Sequence, residues 1–87
     1  MDTFLVEHYW PGVTEESFRR AATLVRDSAE ALEGIRLLHS TLVPGDESAF
    51  CVFAATSSGL VAEAYRRAGV PFERILDALD LSGGVPQ

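Results

Sequence analysis

Two histidines, one cysteine and a scatter of carboxylates are the groups in this 87-residue chain able to do acid–base, nucleophilic or metal chemistry. His8 closes one apolar stretch and His39 sits inside another. Imidazole and carboxylate together suit nickel or zinc, which makes His39 with Glu7 a candidate metal or acid–base pair and His8 a further candidate ligand. Neither histidine has a second histidine four residues on or a CxxC partner, so spacing alone gives little metal signature. The plain structural alternative for His39 and Glu7 is a polar pair hydrogen-bonded at an interface. For His8 it is a bond to a turn carbonyl, although a histidine at a strand end is also within reach of solvent. Cys51 lies within Ala49-Phe50-Cys51-Val52-Phe53-Ala54-Ala55, where a thiol reads as a small hydrophobe and not as a nucleophile in an electropositive setting. There is no Ser-His-Asp arrangement, no nucleophile elbow and no phosphate-cradling glycine loop, since Gly83-Gly84 belongs to a tail. Tyr9-Trp10 either covers a core edge or lines the mouth of a cleft. Asp46 and Glu47 read as a solvated turn, with weak ligation of a divalent ion as the alternative.

The elements that must position these groups are legible from pattern. Thr3 to Tyr9 reads as a strand and Pro11-Gly12 turns the chain. Thr14 caps a helix over about 15 to 32, with Phe18, Ala21, Ala22, Val25, Ala29 and Leu32 as one apolar stripe. Gly34 stands where a left-handed stop belongs. Ile35 to Val43 is a second strand, Pro44 to Ser48 a hairpin connection, and Ala49 to Ala55 a third strand. Ser57 or Ser58 caps a second helix with Leu60, Val61, Ala64 and Ala68 inward, ended by Gly69 and blocked by Pro71. Phe72 to Leu81 is read as a short turn followed by a strand, and 82–87 as a frayed tail, leaving 1–81 as one domain.

This order, βαββαβ, predicts an α+β ferredoxin-like sandwich with an antiparallel sheet ordered 4-1-3-2 and both helices on one face. The third strand has no polar face, although a strand in a one-sided sheet should alternate. A chain this short has few elements to cover two faces, so a homodimer through the open sheet face is expected. By strand parity Leu5, Glu7 and Tyr9 share that bare face with Leu37, His39 and Thr41. Leu38, Ser40 and Leu42 belong under the helices, as do His8 and Cys51.

Bulk properties exclude some functions. The formal net charge is −6 and arginine supplies every one of the 7 positive charges, with no basic patch, so nucleic-acid binding is not expected. A single cysteine forms no internal disulfide, and there is neither a signal peptide nor a membrane-length apolar run. The expectation is a soluble cytoplasmic protein without nucleic-acid or membrane partners.

Several stretches together resemble a known family. They are Phe4-Leu5-Val6-Glu7-His8 with Pro11-Gly12-Val13-Thr14, then Leu38-His39-Ser40, Phe50 to Ala55, and Arg67-Ala68-Gly69-Val70-Pro71. The resemblance, over roughly Phe4 to Ile75, is to small bacterial ferredoxin-like domains of unassigned function that include a dimeric nickel-binding protein. It implies the fold, a dimer and nickel as a possible cofactor, but no ligand set carries over residue by residue. Ala54 stands where the family pattern has Glu and Leu37 where it has Trp, both on the bare face by parity. The leading expectation is therefore a small non-enzymatic metal-binding protein, for nickel or a similar divalent ion, serving sequestration. An alternative is a dimeric α+β barrel enzyme of the cofactor-free oxygenase or isomerase type, with His39, Glu7 or Tyr9 as base or orienter. A third is a ligand-binding or regulatory module.

Overall fold

The computed structural model describes residues 1–79. Its elements are β1 (Asp2–Tyr9), α1 (Glu15–Glu30), β2 (Ile35–Val43), a 3-10 turn (Pro44–Asp46), β3 (Ser48–Ala55), α2 (Ser58–Ala68) and β4 (Arg74–Ala78). The four strands pair antiparallel in the order β2-β3-β1-β4, which is the expected ferredoxin-like sheet. The expected tail, 82–87, and the end of the 1–81 domain lie outside the described residues. Among those described, no helix is long and apolar enough to cross a membrane.

Local chemistry explains the helix ends. Thr14 Oγ1 accepts from the Ser17 N–H at 3.0 Å, and Ser17 Oγ accepts from the Thr14 N–H at 3.0 Å, a reciprocal cap with serine in place of the usual glutamate. Helix α1 ends at Glu30, two residues before the expected Leu32, and Ala31 caps it in right-handed geometry. Gly34 is therefore not the helix stop. It has φ +82°, and a Cβ there would meet Thr56 Oγ1 at 3.1 Å, while its carbonyl accepts from the Thr56 N–H at 2.9 Å. Its missing side chain lets the start of β2 pass close to the end of β3. Gly69, at φ +71°, is the left-handed cap of α2 that the sequence indicates.

The core forms on one side of the sheet. Phe4, Val6 and His8 of β1 and Ala49, Cys51, Phe53 and Ala55 of β3 are buried there. Phe18, Val25 and Ala29 from α1 and Val61, Ala64 and Tyr65 from α2 cover them. Each fully buried Val or Phe in this layer contributes about 1.5–3 kcal/mol relative to exposure. Ser28 Oγ donates to the Ala64 carbonyl at 2.8 Å and pins the two helices together.

One expectation about face assignment fails. β2 pairs Leu37 with Phe53 and His39 with Val52, so Leu38 has no opposite residue. Two residues thus face one, a bulge, and the alternation inverts across it. Leu37 does not share the bare face with His39 and Thr41; it packs against the helix-side core. Leu38, expected beneath the helices, is 38% exposed instead.

Candidate functional site

The open face of the sheet carries Leu5 and Glu7 from β1, Phe50, Val52 and Ala54 from β3, and Arg74 and Leu76 from β4, with His39 and Thr41 on β2. Glu7 and Arg74 are opposite residues, and Arg74 Nε donates to Glu7 Oε1 at 2.7 Å. The carboxylate holds the Arg74 guanidinium even more firmly protonated than usual. His39 is exposed and faces Val52, whose other neighbour is Leu5, while Phe50 stands between Glu7 and Thr41. Glu7 and His39 thus share a face but β3 separates them. Two strand spacings make roughly 10 Å between their backbones. Among the described residues no three His, Cys, Asp or Glu side chains converge to hold a metal ion.

His8 has a different setting. It is on the helix side, 6% exposed, and not reachable as a strand-end ligand would be. Its Nδ1 lies 2.9 Å from the Ala49 carbonyl oxygen and its Nε2 lies 2.8 Å from Tyr65 Oη. A carbonyl can only accept, so Nδ1 carries the proton, Nε2 accepts, and the Tyr65 hydroxyl donates. Burial pushes the His8 pKa down, opposed in part by the Ala49 bond. Burial also pushes the Tyr65 phenol up, with Cys51 beside it adding to the shift. Cys51 Sγ lies 3.1 Å from Ser40 Oγ, and desolvation raises its thiol pKa. Imidazole, phenol and thiol are all kept neutral, in a chain of polar groups inside an apolar layer. That arrangement suits a rigid, satisfied core and gives Cys51 no thiolate character.

At the end of the sandwich, where β1 runs out and the α2–β4 connection returns, a cleft of about 310 Å³ opens. His8, Tyr9, Trp10, Pro71, Phe72 and Glu73 contribute to its lining. Of the expected Tyr9-Trp10 pair, Trp10 packs partly against the core and Tyr9 is 59% exposed. Glu47, read as a solvated turn residue, is structural: it adopts φ 51°, its carbonyl accepts from the Trp10 N–H at 2.8 Å, and its carboxylate accepts from the Gly12 N–H at 2.8 Å. These bonds fasten the hairpin to the floor of the β1–α1 loop and hold a non-glycine residue in left-handed geometry.

The residue that sequence reasoning passed over is Tyr65. Its signal was the spacing of Val61, Ala64, Tyr65 and Ala68, which continues the inward stripe of α2 and puts the phenol under the sheet.

Comparison with known proteins bears on this geometry. Residues 4–77 match the model of a family described as nickel responsive protein, SCO4226-like. The fold matches the crystal structure of SCO4226 from Streptomyces coelicolor A3(2) with a TM-score of 0.78 and 18% sequence identity, over 87% of this chain and 94% of that one. No curated protein matches the chain.

Proposed function

The chain belongs to the SCO4226-like family of nickel responsive proteins, and from that premise we propose that it is a small non-enzymatic protein that binds nickel or a similar divalent ion as a homodimer, for sequestration. The family match over residues 4–77 is the observation that carries this reading. The open sheet face supports this reading. It presents an exposed imidazole, His39, and a carboxylate, Glu7, on a surface whose apolar residues a second copy would cover. One imidazole and one carboxylate cannot fill a nickel coordination shell. A two-fold partner doubles the donors and brings each patch against its own image. Glu7 must give up Arg74 to ligate, so the guanidinium competes with the ion. His8 would enter the ligand set only by breaking its bonds to Ala49 and Tyr65, so the reading rests on His39 and Glu7.

The test is calorimetric titration of the untagged protein with nickel, zinc and cobalt, alongside sedimentation at matching concentrations. Binding with micromolar affinity to a dimer is expected, with a stoichiometry that falls in His39→Ala. Phe50→Asp, which puts a charge in the centre of the apolar face, should give a monomer that still folds. A wild-type protein that remains monomeric and takes up no ion sinks the proposal.

A further inference from the structure

We propose that the end cleft is a binding site for a small organic cation, an ammonium group on an apolar body. Three aromatic side chains, Tyr9, Trp10 and Phe72, line it, and Pro71 adds a rigid apolar wall. Among the described residues, the only formal charge in its lining is negative, on the exposed Glu73. Aromatic faces carry a negative quadrupole and attract a cation directly, most strongly for tryptophan. A carboxylate at the same opening adds Coulomb attraction, in a protein whose formal net charge is already −6. Among the described residues no arginine lines the cleft, so an anion would meet repulsion with nothing there to offset it.

The cleft is also built to stay open. Glu73 is anchored by its backbone N–H, which donates to the Glu7 carbonyl at 2.8 Å, and its side chain is exposed at the opening. Phe72 packs edge-on against Tyr65, with ring centres 5.2 Å apart, and Tyr65 in turn is held by His8. The Trp10 backbone N–H donates to the Glu47 carbonyl, and its side chain packs partly against the core. Phe72 and Trp10 are therefore packed before any ligand arrives, which lowers the ordering cost of binding. A volume of about 310 Å³ falls at the small end of ligand sites and suits one aromatic or branched alkyl group with its ammonium head. His8 has both ring nitrogens engaged and presents no proton to compete with the cation. Neither His39 nor Glu7 lines the cleft, so this inference does not depend on the nickel reading.

The test uses the chain's single tryptophan, Trp10, whose emission reports from the cleft wall. The full chain is titrated with benzyltrimethylammonium, with the uncharged tertiary alcohol of matching shape, and with phenylacetate. Nuclear magnetic resonance shift mapping locates the binding. The cation should change the Trp10 emission saturably, bind about tenfold more tightly than the alcohol, and shift resonances of Phe72 and Glu73, while phenylacetate does nothing. Glu73→Gln, a change at an exposed side chain, should weaken the cation about threefold and leave the alcohol unaffected. Equal binding of alcohol and cation, binding of phenylacetate, an unchanged cation affinity in Glu73→Gln, or no response to the cation would each overturn the proposal.

Discussion

Beneath the helices, Val6 and Phe53 lie fully buried and even His8 has two hydrogen-bond partners, whereas on the opposite face Leu5, Phe50 and Val52 of the same two strands remain partly exposed. The same two strands build both surfaces, residue by alternate residue. The difference is that one face has α1 and α2 to close it and the other has no element over it among the described residues. Polar groups follow the same division. Inside, His8, Tyr65, Cys51 and Ser40 satisfy one another and are kept neutral. Outside, Glu7 and Arg74 form a charged cross-strand pair and His39 stands in the open. A closed layer uses its polar residues for order, while an open one leaves them available to a partner or an ion.

Substitutions on the two faces of β3 test that contrast most strongly. Phe53→Ala should lower folding stability by about 3–5 kcal/mol, read from the urea midpoint, because the helices cannot collapse into the space. Phe50→Ala, three residues earlier on the other face, should cost a monomer only about 1 kcal/mol. Equal losses would show that the two faces are not distinct.

Tyr65→Phe should cost about 1–3 kcal/mol, since it strips the donor from His8 Nε2 and leaves a buried acceptor unpaired. A loss below a few tenths would mean that the interior bond contributes little.

The next effect is on pH. Burial sets the folded pKa of His8 below its ordinary value of 6.5, so on acidification the unfolded chain takes up the proton first. The stability that neutral His8 contributes is therefore present above about 6.5 and declines as the pH falls below that value towards the folded pKa. Urea midpoints measured from neutral to mildly acidic pH should fall accordingly, and His8→Gln should flatten that part of the profile.

Smallest is the outer ion pair. Arg74→Gln should leave the urea midpoint almost unmoved, because the guanidinium side chain is 64% exposed and water already solvates it. On the nickel reading the same change should strengthen ion uptake, since Glu7 is released. Calorimetry on the variant measures both the sign and the size.

Much of the fold was legible along the chain. Alternation in β1 separates Phe4, Val6 and His8 from Leu5 and Glu7, the 3–4 spacing of Phe18, Val25 and Ala29 marks the inner face of α1, and Gly69 ends α2 where expected. Less of the candidate site was legible. The bulge at Leu38 is invisible in composition, because Leu37-Leu38 offers two equivalent apolar residues and only the pairing with Phe53 decides which turns inward. Gly34 looked like a helix stop because glycine serves helix ends and close approaches alike, and the decision belonged to Thr56, distant in sequence.

What the order of residues determined by itself is therefore what depends on short range: the periodicities, the cap at Thr14 and a serine cap at Ser57 or Ser58, the turn residues, the net negative charge and the apolar character of β3 on both sides. These are local matters of side-chain spacing and backbone preference, and they restrict the topology to a few choices. The tertiary structure alone decided that His8 meets Tyr65 across 57 positions, that Glu7 finds Arg74 across 67, and that Tyr9, Trp10 and Phe72 gather at one cleft. Such meetings depend on strand register and on how helices seat against a twisted sheet, where each contact is fixed only once all the others are.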